Sequence, residues 1–159
     1  MTASIDKFIN GPWRKSHRAD KRALPLADRH YNRQKPGSPQ FVPPGRCLVL
    51  LTENADALWV TSWPHAEYVK HAWAGAWMNS LFRNESAYLS SYLIREAVKC
   101  TYEYWPDIPE LGMITFVDSR KIRSTNPGYC YLKAGFEHVG YTRGGLHAFQ
   151  LLPHRMLIG

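Results

Sequence analysis

Hydrophobic and polar positions alternate through 76–85 (AWMNSLFRNE), which predicts a strand. Trp77, Asn79, Leu81 and Arg83 would share one face and Met78, Ser80 and Phe82 the other. The period then lengthens. Ile94, Ala97, Val98, Thr101 and Trp105 fall on one stripe of a helix over about 89–105, which Pro106 stops and in which Lys99 and Glu103 have i,i+4 spacing. Upstream, Cys47–Thr52 and Ala57–Thr61 are β-rich runs separated by Glu53-Asn54-Ala55-Asp56, a hairpin pattern. Downstream, the apolar run Met113–Val117 predicts a buried strand ending at Asp118. Asn126-Pro127 offers an N-cap and first position for a short helix through Lys133, with Gly135 as its stop. Phe136–Thr142 and Leu146–Leu152 complete the set as strands.

Residues 1–28 carry no clean period and read as a basic arm or irregular wrap, with Trp13 available to anchor it. Residues 29–159 form the body, a single α/β (α+β) domain. At 159 residues the chain can bury a sizeable core. It has no apolar run of membrane-span length and no signal-type segment, so a cytoplasmic location and no membrane partner are expected. Three cysteines without a CxxC pair are read as reduced, mostly buried thiols. His65 and His71 lack a third ligand at metal-binding spacing, so a surface or packing role is expected for them, no metal-ligating residues are assigned, and a metal requirement stays open.

Charge changes the picture. Residues 1–46 hold ten Lys/Arg against three Asp/Glu, which is the whole formal excess of +7; the remainder balances. A basic leading segment without an amphipathic apolar face suits a nucleic acid better than a membrane. Arg29, Arg33 and Lys35 flank His30-Tyr31, which sets an imidazole beside a phenol. Arg120, Lys121 and Arg123 follow Asp118, a carboxylate at the carboxyl end of a strand, where open α/β sheets keep their chemistry. These six cations are the candidate DNA contacts. Asp118, His30 and Tyr31 are the candidate proton-handling groups. An Asp at such a place also commonly caps the following loop.

The closing pattern, an apolar strand ending in Asp118, then Gly128-Tyr129, Tyr131-Leu132-Lys133-Ala134-Gly135-Phe136 and the strand EHVGYT, resembles the GNAT acyltransferase superfamily. Within it, this pattern and His30-Tyr31 resemble the Mom family of phage proteins. The resemblance implies a mostly antiparallel sheet flanked by helices. It also implies carbamoylmethylation of adenine N6 in phage double-stranded DNA, on a flipped base, as protection against host restriction. Typical GNAT members have a glycine-containing turn before the helix that cradles coenzyme A. Here Arg83–Ser91 contains no glycine, which points away from ordinary acetyl-CoA use, as in Mom-like proteins. Ser90, Ser91 and Tyr131 are the candidate donor-binding residues; the donor is unspecified, with an acyl-CoA type among the options. Tyr31, Trp63, Tyr129 and Tyr131 are candidates to stack on the flipped base. Two alternatives stay open: an N-acyltransferase using acetyl-CoA on an amine, peptide or protein, and a nucleic-acid-binding relative without catalysis.

Overall fold

The computed structural model describes residues 11–30, 33, 35–121 and 126–156. Strand β1 (Trp13–Lys15) is followed by helix α1 (Leu24–Asp28), then β2 (Arg46–Thr52), β3 (Ala57–Trp63), a single 3-10 turn at Ala66–Tyr68, and β4 (Trp77–Asn84). Helix α2 (Ser90–Tyr104), β5 (Met113–Val117), α3 (Tyr129–Lys133), β6 (Glu137–Tyr141), β7 (His147–Leu151) and α4 (Pro153–Met156) complete the order. The strands form one seven-stranded sheet in the order β1-β2-β3-β4-β5-β7-β6. Every neighbouring pair is antiparallel except β4 and β5. The architecture is therefore mixed α/β on a mostly antiparallel sheet. No helix of the described residues is long and apolar enough to cross a membrane.

The predicted hairpin forms as β2 and β3. Its turn is closed by the Thr52 hydroxyl, which donates to Asp56 (2.6 Å) and accepts from the Ala57 N–H (2.9 Å). Leu48, Leu50, Ala57 and Trp59 pack under α2 on one face. Val49, Leu51, Leu58 and Val60 pack against α1 on the other. With both faces covered, β3 is buried along nearly its whole length.

Helix α2 matches its expected stripe: Ile94, Ala97, Val98 and Thr101 are buried against the sheet. Its outer ion pair differs, because Lys99 Nζ meets Glu96 Oε2 at 3.3 Å rather than Glu103. The i,i+3 partner lies on the same turn of the surface and is equally reachable.

Part of the expected arm belongs to the sheet. β1 pairs along β2, Trp13 is wholly buried, and its indole N–H donates to the Leu93 carbonyl of α2 (2.9 Å). Asp20 secures the next turn. Burial raises its pKa, but hydrogen bonds from the Ser16 hydroxyl and the Arg22 N–H and guanidinium outweigh this and hold it at about 2. The boundary at residue 28 thus falls inside folded structure. Five basic positions in this region, Arg14, Lys15, Arg18, Lys21 and Arg22, belong to this folded segment.

One other boundary and one strand pattern differ from expectation. Helix α3 starts at Tyr129, not at Pro127, because Gly128 takes a left-handed conformation (φ 77°) as its N-cap. A Cβ there would sit 2.2 Å from the Phe149 ring. Strand β4 does not keep one alternation: Trp77 and Phe82 face α2, while Leu81 packs on the opposite side with α1. The cause is a bulge. The register against β3 runs Val60↔Leu81 and then Thr61↔Asn79, so Ser80 is the extra residue and the faces swap across it.

Candidate active site

The parallel pairing of β4 with β5 is short, covering Trp77↔Met113, Met78↔Ile114 and Asn79↔Thr115. Beyond it, β4 runs on to Asn84 beside β3 and β5 to Val117 beside β7 without pairing with each other, so the two carboxyl ends form a fork. The bulge at Ser80 stands at the apex.

Asn79 organises this apex. Its side chain is buried and donates to the carbonyls of Val60 (3.0 Å) and Leu81 (2.9 Å), the register pair just beyond the bulge. Its Oδ1 accepts from Tyr131 Oη (2.5 Å) and from the Thr115 hydroxyl (3.3 Å). Thr115 Oγ1 also lies 3.2 Å from the Asn79 carbonyl. A bulge strips regular ladder partners from the backbone, and here the buried Asn79 amide and Thr115 hydroxyl replace them, with the Tyr131 phenol holding the amide in place.

His30 closes one side of the fork. With Ser80 and Leu81 it lines both the small fork interior, about 20 Å³, and an adjoining cavity of about 250 Å³ bounded by Ala27, Arg33 and Phe41. Burial, with Arg83 as the lesser cause, lowers the imidazole pKa to about 4, so the ring is neutral at neutral pH. The chain before it is clamped. Both ends of the Arg29 guanidinium bind Glu85 (2.7 and 2.8 Å), Arg83 Nε binds the same carboxylate (2.9 Å), and Arg83 Nη1 donates to the Arg29 carbonyl (3.3 Å). Tyr31 and Arg123 lie outside the described residues.

Asp118 behaves differently from a poised base. It is buried, and Oδ1 accepts from the Arg120 backbone N–H (3.0 Å) and from Arg120 Nε (3.0 Å). Arg120 Nη2 reaches Asp118 Oδ2 (3.3 Å) and the Gly144 carbonyl (3.3 Å) in the β6–β7 turn. The hydrogen bonds from Arg120 hold the carboxyl below its usual range. A carboxylate so engaged is ionised but weakly basic, and it pins one loop to another. Asp118 is not among the residues lining the cavities around His30.

Comparison with protein-family models, curated proteins and solved structures gives no match. The geometry of the chain itself therefore carries the functional argument.

The remaining candidates separate by exposure. Arg33 has only a tenth of its side chain exposed and closes the 33–40 loop through Asp28 (2.9 Å), the Ser38 carbonyl (2.6 Å) and the Gln40 carbonyl (3.1 Å). Lys35 and Lys121 are exposed, and Arg120 is largely so despite its pair with Asp118. At the start of α2, Leu89 is the N-cap and no side chain caps it. Ser90 Oγ instead accepts from Asn84 Nδ2 (3.0 Å), while Ser91 is half-buried. Asn84 thus organises the glycine-free turn, which leaves Tyr88 and Leu89 exposed beside the helix end. Among the stacking candidates, Trp63 is held under the Arg46 guanidinium (4.1 Å) and against Trp77 and Trp105. Tyr131 is buried, and Tyr129 is exposed. Among the described residues, no cluster of three or more His, Cys, Asp or Glu could hold a metal ion.

Sequence reading missed Asn79 and Thr115. One signal was available: Asn is disfavoured in strand interiors, and a buried amide there requires partners.

Proposed function

We propose that this chain is a Mom-like, GNAT-related transferase that modifies adenine N6 in double-stranded phage DNA, and that the cavity beside His30 receives the flipped base. The observation that carries the reading is the place of the His30 imidazole, half-buried at the mouth of the strand fork and lining the cavity of about 250 Å³ beside it. The purine amino group is a poor nucleophile, because its lone pair is delocalised into the ring. It must be extruded, desolvated and held against the incoming carbon. On attack, N6 joins that carbon, the leaving group departs with its bonding pair, and N6 is left cationic with a surplus proton. Such a nitrogen is acidic enough to protonate even an imidazole whose pKa lies near 4, so His30 receives the proton.

The chain's own residues supply the other requirements. The amide and phenol of Asn79 and Tyr131 hold the bulge that shapes the cavity floor. Lys35, Arg120 and Lys121 are placed at the surface for phosphate contact. Asp118 acts as a positioning residue through Arg120. The crowded, glycine-free start of α2 weighs against a coenzyme A pyrophosphate cradle and so against the ordinary acyltransferase alternative.

Mass spectrometry of nucleosides from DNA of cells expressing the chain tests this. The expected result is a deoxyadenosine heavier by a carbamoylmethyl group. Unmodified DNA, together with acetyl transfer to an amine or peptide, would establish the acyltransferase reading instead.

A further inference from the structure

A larger cavity, about 470 Å³, lies away from His30, between two connections of the sheet. One wall is Lys70, His71 and Trp73, before β4; the other is Tyr141, Thr142 and Arg143, at the β6–β7 turn. Among the described residues, no carboxylate lines it. Lys70 and Arg143 are exposed, one on each wall, and neither has an ion-pair partner among the described residues. Tyr141 is 62% exposed, a large aromatic surface left on an otherwise polar turn.

The groove is braced rather than incidental. Gly144 on its rim accepts the Arg120 guanidinium, whose other bonds go to Asp118. Behind it, His71 and Trp73 pack on Phe116 (ring centroids 5.0 and 5.9 Å), and Phe116 also lines the fork. Phe116 thus stands between the groove and the candidate active site.

We propose that this groove binds single-stranded DNA, with Trp73 and Tyr141 as stacking surfaces for an unpaired base and Lys70 and Arg143 as contacts to the flanking phosphates. A cation and an aromatic ring on each wall fit a strand whose charges lie along its edges and whose bases are planar. A flat apolar ligand would leave the cations without partners, and a duplex would not present a base to the rings. The inference rests on the reading of DNA as the partner and adds the place where the opened strand is held.

The test measures binding of the full chain to a labelled oligothymidylate across a salt series. Such a probe contains no adenine, so failure of the modification chemistry would not affect it. Tyr141→Ala should weaken binding about tenfold, and Tyr141→Phe should restore it, since stacking needs only the ring. The double variant Lys70→Glu, Arg143→Glu should lower the salt slope by about 1.4, at ~0.7 per phosphate contact on a single strand. Lys99→Glu, on the exposed side of α2, should leave the slope unchanged. An unchanged slope in the double variant together with an affinity within twofold of the parent in Tyr141→Ala would overturn the proposal, as would a parent chain that does not bind the oligonucleotide. Modified adenosine with groove-independent binding would remove this inference alone. Groove-dependent binding without modified adenosine would remove only the modification chemistry.

Discussion

Tyr131 donates its phenolic hydrogen to the side-chain oxygen of Asn79 at 2.5 Å, joining α3 to the β4 bulge from 52 residues away. The bond makes two distant segments into one floor for the fork. Tyr131→Phe removes the donor and leaves a buried amide oxygen with the Thr115 hydroxyl as its other neighbour. The expected cost is about 1–3 kcal/mol, read as a lower urea midpoint at unchanged slope. Asn79→Ala should cost more, because the Val60 and Leu81 carbonyls then lose their donor as well.

Gly128→Ala should destabilise by at least about 2 kcal/mol, combining a left-handed backbone strained for alanine with overlap on the Phe149 ring. The shift in thermal midpoint checks this. Gly37, also at positive φ but with open space around it, should tolerate the same change better.

His30 gives the fold a pH dependence of defined sign. Its pKa falls from 6.5 in the unfolded chain to about 4 in the fold, so the unfolded state binds the extra proton between those values. Stability should be level above about pH 6.5 and decline towards pH 4, by on the order of 2–3 kcal/mol. Asp20 titrates in a separate window, losing its contribution as the pH falls from 3.8 towards 2. Urea unfolding of the parent and of His30→Gln at several pH values isolates the first effect, because the variant lacks that decline.

Thiol reactivity should follow burial. Burial pushes Cys100 up to about 12 and also raises Cys130, so both thiols stay protonated at neutral pH. Cys47, half-exposed at the edge of β2, should be alkylated first in the native protein, as peptide mapping would show.

Much of the fold is written in local pattern. The hairpin around 53–56, the stripe of α2, and the strand ending at Asp118 each follow from periodicity and turn residues within ten or fifteen positions. The misread places depend on contacts remote in sequence. The bulge at Ser80 depends on the register of β3, and the start of α3 depends on Phe149 packing over Gly128. Segment 13–28 looked irregular because its β1 strand is three residues long and stabilised by an indole reaching Leu93. The site was legible as residue types, with His30 and Asp118 both singled out. Their surroundings were not legible: Arg120 occupies the carboxylate, whereas the imidazole faces a cavity.

In the proposed reaction adenine N6 is modified in the cavity beside His30, which accepts the proton. The most direct measurement is the fraction of modified deoxyadenosine in DNA from cells expressing the parent or His30→Gln, normalised to folded protein. The expected result is modified adenosine with the parent and a loss of about 10²-fold or more with His30→Gln, the scale of a positioned acid–base group. Modification by His30→Gln at the parent level, or DNA left unmodified by the parent, would contradict it.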